Sequence, residues 1–126
     1  MADRVAELYR ASYARLQAAD WAMALETFDA ALAILPPDDP DGPGELLKLK
    51  GRALGGLGRH AEALAAHEAA LAAGPRCPEF LTDLGDALAA LGQRQQAIAA
   101  YEEALSNVLP GEEILERIYG GLDALG

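Results

Sequence analysis

The sequence has few residues that favour β-strands and almost no means of forming disulfides. Eight of its 126 residues are β-branched, whereas 28 are alanine, and both alanine and leucine favour helix. The single cysteine, Cys77, excludes an internal disulfide, so no feature indicates an oxidising compartment. Only seven residues are aromatic, so the core of an all-α fold must rely on close helix approach more than on large side chains.

Positive charge is also scarce, and long apolar runs are missing. Ten Lys and Arg residues stand against 20 Asp and Glu residues, which gives a formal net charge of −10. Because phosphate binding requires a basic patch, this balance argues against nucleic acid as a partner. The N-terminal stretch is charged and amphipathic, without the apolar segment of a secretion signal, and no other stretch could span a membrane. The sequence therefore predicts a cytoplasmic protein with neither a nucleic-acid nor a membrane partner, and its Ala and Arg content is typical of a GC-rich bacterial genome.

The chain repeats itself at a period of 34 residues. Residues 78–110 read as two helices joined by a tight turn, and their glycines Gly85 and Gly92 recur 34 positions earlier as Gly51 and Gly58. A fixed period of this size is typical of stacked helical repeats. Helical periodicity bounded by Gly and Pro predicts seven helices, over residues 3–18, 21–35, 44–57, 60–73, 78–92, 94–108 and 112–125.

The recurring residues resemble the tetratricopeptide repeat (TPR), a helix–turn–helix unit of 34 residues. Its pattern has a large apolar residue at position 4, Leu-Gly at 7 and 8, small residues at 15, 20 and 27, and an aromatic at 24. The last unit matches most fully, at Leu81, Leu84, Gly85, Leu88, Gly92, Ala97, Tyr101 and Ala104. The middle unit departs at Lys50, where Leu is usual, and at His67, which we expect to be an interior substitute for the aromatic residue.

The resemblance covers residues 5–111 and implies an all-α, right-handed α-solenoid. Its three helix–turn–helix hairpins would be the repeats 5–38, 44–77 and 78–111. Five extra residues are inserted in the proline-rich loop 36–44 between the first two repeats. Residues 112–125 would form a C-terminal capping helix, so that residues 1–126 make a single TPR domain.

The resemblance also implies a binding function, as a scaffold or adaptor. In similar proteins the first helix of each unit lines a concave groove that holds a partner protein or an extended peptide. Carried over position by position, the residues expected to contact the ligand are Tyr9, Tyr13, Gln17, Lys48, Arg52, Thr82 and Asp86. The chaperone-binding members of the family hold a terminal carboxylate with a Lys/Asn/Arg clamp, but Arg52 and Asp83 stand where that clamp has Asn.

Two pairs of residues within this set suggest how a ligand is held. Tyr9 and Tyr13 are four residues apart, so their rings share one helix face and form an amphipathic ledge; alternatively, both rings pack on the N-terminal edge of the fold. Lys48 and Arg52 are also four apart and repel each other, which predicts an acidic side chain or a C-terminal carboxylate on the partner. The alternative is that they pair internally with Glu45, Glu79, Asp83 or Asp86.

Nothing in the sequence predicts catalysis. It has no phosphate-binding loop, no cluster of metal ligands and no nucleophile motif, and His60 and His67 lie two helical turns apart, too far to share a metal. We therefore expect a protein that is not an enzyme and needs no cofactor. The alternative to ligand binding is a self-assembling structural module that forms a homo-oligomer. Association would bury apolar surface that a core of small side chains leaves exposed.

Overall fold

The computed structural model describes the chain over residues 3–39, 43–74, 76–109 and 111–126. Within these ranges the chain forms seven α-helices and no β-strand, which confirms the all-α repeat fold. The helices are α1 (Asp3–Gln17), α2 (Trp21–Ile34), α3 (Gly44–Gly56), α4 (His60–Ala73), α5 (Pro78–Ala90), α6 (Arg94–Ser106) and α7 (Ile114–Ala124). None of these described helices is both long and apolar enough to cross a membrane. Residues 40–42 of the predicted proline-rich loop lie outside the described ranges.

Glycines set the ends of the first helices in two hairpins. The sequence predicts that α5 continues to residue 92, but it ends at Ala90 because Gly92 has a positive φ of 77°. This left-handed conformation cannot continue a right-handed helix and is readily adopted only by glycine. The amide of Gln93 then donates to the carbonyl of Leu88 at 2.9 Å, which closes the helix end. Gly58, with φ of 78°, ends α3 in the same way.

The helices divide into two compact units, Met1–Gly74 and Pro75–Gly126. The first unit contains the hairpins α1–α2 and α3–α4, and the second contains the hairpin α5–α6 together with α7. Burial of apolar area, at roughly 25 cal/mol per Å², stabilises each unit. The core of the first unit is formed by side chains of α1, α2 and α3, namely Val5, Leu16, Ala24, Phe28, Ala31, Leu46, Leu49 and Ala53.

Small residues at matching positions allow the two helices of each hairpin to touch. A Cβ added to Gly51 of α3 would lie 2.5 Å from Cε1 of His67 in α4, and one added to Gly85 of α5 would lie 2.7 Å from Cε1 of Tyr101 in α6. In α1 the same position holds Ser12, which is fully buried and donates its hydroxyl to a backbone carbonyl of its own helix. His67 is 5% exposed, so it lies in the interior at the position where the repeat usually has an aromatic residue, as predicted.

Tyr101 is the central side chain of the second unit. Its ring is almost fully buried and lies against the backbone of Gly85 in α5. A Cβ at Gly121 of α7 would lie 2.5 Å from Cζ of the same ring. One aromatic residue thus sets the spacing of three helices.

α7 packs against both α5 and α6. Its Ile118 is fully buried, whereas Glu116 and Asp123 are exposed. At the far end of α7, Arg94 donates from Nε to the carbonyl of Leu125 at 2.7 Å, which satisfies one of the carbonyls that a helix end leaves unpaired. α7 therefore covers the α5–α6 hairpin with an apolar face and turns an acidic face to solvent.

Candidate binding site on α1 and α3

The residues predicted to contact a ligand fall on both units. Five of them lie on α1 and α3 of the first unit: Tyr9, Tyr13, Gln17, Lys48 and Arg52. The other two, Thr82 and Asp86, lie on α5 of the second unit. Gln17 is the last residue of α1 and is exposed.

Tyr9 and Tyr13 stack on one face of α1. Their ring centroids are 6.2 Å apart and the ring planes differ by 15°. A stacked pair at this separation is a favourable aromatic geometry. Tyr9 is partly buried and packs against the core of the first unit, whereas Tyr13 is 39% exposed. The Tyr9–Tyr13 ledge is therefore anchored at one ring and open to solvent at the other.

Glu45 joins this ledge to α3. The Tyr9 hydroxyl donates to Oε1 of Glu45 at 3.3 Å, and Nζ of Lys48 lies 3.1 Å from Oε2 of the same carboxylate. The Lys48 side chain is 4% exposed and that of Glu45 is 38% exposed. An ammonium group this deeply buried needs a counter-charge, because removing an ion from water costs several kcal/mol. Lys48 thus makes the internal pair that the sequence left open as an alternative.

The surroundings of Tyr9 keep its phenol protonated. Burial and the Glu45 carboxylate raise the pKa of Tyr9 to about 12, although the Arg52 guanidinium opposes this shift. The hydroxyl therefore remains a hydrogen-bond donor at any physiological pH. Arg52 lies close enough to act on the phenol, and its side chain is partly exposed.

On α5, both predicted residues already serve the fold. Thr82 is fully buried and its hydroxyl donates to the carbonyl of Pro78 at 2.6 Å, so it offers nothing to a ligand in this conformation. Asp86 accepts hydrogen bonds from the Tyr101 hydroxyl and from the guanidinium of Arg117, each at 2.5 Å. Asp86 therefore ties α5 to α6 and α7.

Arg117 of α7 binds two carboxylates of α5. Its guanidinium lies 2.5 Å from both Asp83 and Asp86, whose side chains are 1% and 45% exposed. Burial alone would lower the pKa of Arg117, but the two carboxylates outweigh it and raise that pKa. Burial and the Asp86 carboxylate also raise the pKa of Tyr101. Asp83 and Asp86 of α5 are thus held by a cation of α7.

The described residues show no metal centre. No group of three or more His, Cys, Asp or Glu side chains in the described parts of the chain is placed to hold a metal ion. A cleft of about 500 Å³ lies at the start of α5 and α7 within the second unit, lined by Cys77, Pro78, Glu79, Glu112, Glu113 and Ile114. The lining mixes carboxylates with apolar groups and includes none of the predicted ligand contacts.

The two residues that depart from the repeat pattern both make contacts within the first unit. Lys50, which replaces the usual Leu, reaches Asp29 of α2 at 2.7 Å, and His67 packs on Gly51. The family model of the tetratricopeptide repeat matches residues 48–109, from α3 through α6. Residues 48–109 carry repeats of the tetratricopeptide family. No curated protein sequence matches this TPR chain.

Solved structures share the fold of this TPR chain. The TPR domain of Sgt2 from Aspergillus fumigatus has a TM-score of 0.83 and 20% identity, over 98% of this chain and 78% of that one. The Yersinia enterocolitica chaperone SycD, in complex with a peptide of the translocator YopD, has a TM-score of 0.83 and 17% identity, over 99% and 94% of the two chains. Pseudomonas aeruginosa PcrH, in complex with the chaperone binding region of PopB, has a TM-score of 0.80 and 22% identity, over 97% of each chain. At these identities the likeness concerns the fold alone.

Proposed function

We propose that this TPR chain is a non-catalytic scaffold or adaptor that binds a partner protein or an extended peptide on the α1–α3 face of its first unit. The observation that carries this proposal is the Tyr9–Tyr13 ledge. The Tyr9 hydroxyl donates to Glu45, and the stacked ring of Tyr13 is 39% exposed. The complexes of SycD and PcrH with segments of their partners support a binding role, because those proteins share the fold.

The ledge suits the contact that an extended chain would make. Tyrosine offers a large, stiff surface with a polar edge, and aromatic residues dominate the energetics of many interfaces. Full burial of a large apolar side chain contributes roughly 1.5–3 kcal/mol, and covering the exposed 39% of Tyr13 contributes a part of that. Because Tyr9 is held by Glu45 before any ligand arrives, little ordering entropy is lost on binding.

The charge of the partner is the second part of the proposal. The sequence predicts an acidic or C-terminal carboxylate held by Lys48 and Arg52. Since Lys48 is buried and binds Glu45, we assign this contact to the partly exposed Arg52, whose planar guanidinium can bind a carboxylate through two hydrogen bonds.

A pair of matched variants tests the site. Tyr13 and Tyr119 are 39% and 54% exposed, on α1 and α7, so Tyr13→Ala and Tyr119→Ala remove similar rings from different units. The immobilised chain and both variants are used to capture partners from a lysate, and the captured proteins are identified by mass spectrometry. We expect Tyr13→Ala to lose partners that the wild-type chain and Tyr119→Ala retain. Equal capture by all three chains would exclude the α1–α3 face.

Light scattering over a wide range of protein concentration tests the alternative of self-assembly. A monomer throughout leaves the α1–α3 face available to another protein. An oligomer that does not dissociate on dilution, and that Tyr13→Ala disrupts, would instead assign this face to contacts between copies of the chain.

A further inference from the structure

We infer that Lys48 is a positioning residue rather than a ligand contact, and that an uncharged apolar or aromatic side chain of the partner is anchored on Tyr13. The inference rests on the proposed function and specifies how its site recognises a partner. It assigns a chain of contacts, from Lys48 through Glu45 and Tyr9 to Tyr13, in which only the last residue faces the ligand.

The first step is the burial of Lys48. Its ammonium lies 3.1 Å from Glu45 and its side chain is 4% exposed. A ligand carboxylate could reach it only by displacing Glu45, which already supplies the counter-charge that the buried ammonium needs. The pair therefore stays intact when a partner binds.

The second step is the orientation of Tyr9. With Oε2 of Glu45 held by Lys48, Oε1 is directed at the Tyr9 hydroxyl, 3.3 Å away. Glu45 is 38% exposed, so without Lys48 its carboxylate can turn to water and release the phenol. The ring of Tyr9 would then be held by core packing alone, and its stack with Tyr13 would loosen.

The third step is the chemistry that the site presents. Lys48 and Glu45 neutralise each other, so together they present no net charge to a ligand. Beside the partly exposed Arg52, the open surface of the site is the ring of Tyr13, which is 39% exposed and stacked on Tyr9. Its complement is an apolar or aromatic side chain, whose burial against the ring removes apolar area from water.

The test begins with a library of random linear peptides displayed with free C-termini, selected on the wild-type chain. We expect the selected peptides to share an apolar or aromatic anchor and to lose binding to Tyr13→Ala. A selected peptide is then synthesised as the free acid and as the amide, and the dissociation constants of both forms are measured for the wild-type chain, Lys48→Met and Glu45→Gln. Thermal unfolding first shows whether each variant is folded. If Lys48→Met is unfolded, the comparison uses Glu45→Gln alone.

We expect Lys48→Met and Glu45→Gln to raise the dissociation constants of both peptide forms equally, by about three- to tenfold. That factor corresponds to the loss of one hydrogen bond. The ratio of the two dissociation constants should stay at its wild-type value. A ratio that Lys48→Met reduces to one would make Lys48 a carboxylate contact and overturn the inference, and so would unchanged binding of both forms. If no peptide binds the wild-type chain better than Tyr13→Ala, the proposed function itself fails.

A second readout reports on positioning without any ligand. The four tyrosines can be labelled with carbon-13 and their ring signals assigned by single Tyr→Phe variants. Lys48→Met should shift the ring signals of Tyr9 and Tyr13, because stacked rings shift each other's resonances, and leave those of Tyr101 and Tyr119 in place. Unmoved Tyr9 and Tyr13 signals would contradict the positioning role.

Discussion

The ring of Tyr101 lies directly against the backbone of Gly85, so closely that a Cβ at residue 85 would come within 2.7 Å of Cε1. The ring cannot retreat freely, because Gly121 of α7 borders it as well and its hydroxyl is held by Asp86. The spacing of α5, α6 and α7 therefore depends on the glycines that border the Tyr101 ring.

Gly85→Ala should lower the free energy of unfolding by about 1–3 kcal/mol, because the added methyl group overpacks this contact. Gly120→Ala is the matched control, since a Cβ there meets nothing within 4 Å and glycine is a poor residue inside a helix. We expect that control to be neutral or to stabilise by up to about 1 kcal/mol. Urea denaturation of both variants measures the difference, and equal effects would contradict the packing argument.

Arg117→Gln should destabilise the second unit by about 1–3 kcal/mol, because it removes the guanidinium that binds the buried Asp83. Arg76→Gln breaks the pair of Arg76 with Glu103, whose side chains are 58% and 39% exposed, and should change stability far less, because solvent screens an exposed pair. Limited proteolysis should also cleave α7 faster in Arg117→Gln. Equal stability of the two variants would show that burial adds nothing to the Arg117 pair.

Tyr9 should make stability depend on alkaline pH. Its pKa is about 12 in the folded chain, above the value of about 10 for an unfolded tyrosine, so the folded state holds the phenol proton more tightly. The stabilisation is complete below about pH 10 and is lost as the pH rises toward 12. Tyr9→Phe should therefore lose less stability than the wild-type chain between these pH values. Parallel denaturation curves for the two chains would refute this linkage.

Lys48 and Arg52, two of the three basic residues of α3, should respond differently to charge reversal. Lys48→Glu places a second carboxylate beside Glu45 in a buried position and should destabilise the chain by about 3–5 kcal/mol. Arg52→Glu changes a partly exposed residue and should leave the chain folded while it weakens capture of an acidic partner. Circular dichroism and partner capture separate the two effects, and an unfolded Arg52→Glu chain would remove Arg52 from the proposal.

Sequence periodicity was sufficient to predict the helices and the hairpin contacts. The spacing of Gly51 and Gly85 predicts close helix pairs because only a small residue at that position allows the contact. Helix ends were less predictable, since a glycine such as Gly92 can continue a helix or reverse the chain, and its φ decides between them.

For the site, the sequence predicts only which residues share one face of a helix. The i, i+4 spacing of Tyr9 and Tyr13 predicts a shared face, and the stack follows from it. The sequence offers Glu45 as one of several partners for Lys48, because spacing alone does not tell whether a lysine is buried. The role of Asp86 depends on Arg117, which belongs to α7 and lies outside the repeats from which the site was inferred.

The exposed ring of Tyr119 limits how this array could be lengthened by engineering. It stands 34 residues after Gly85, at the position where the first helix of each preceding hairpin has Ser12, Gly51 or Gly85, and it is 54% exposed. A helix grafted after α7 could not approach it as α4 approaches α3, because a phenol occupies the space that a second helix would need. Tyr119→Gly is thus the change with which an engineered longer array would have to begin.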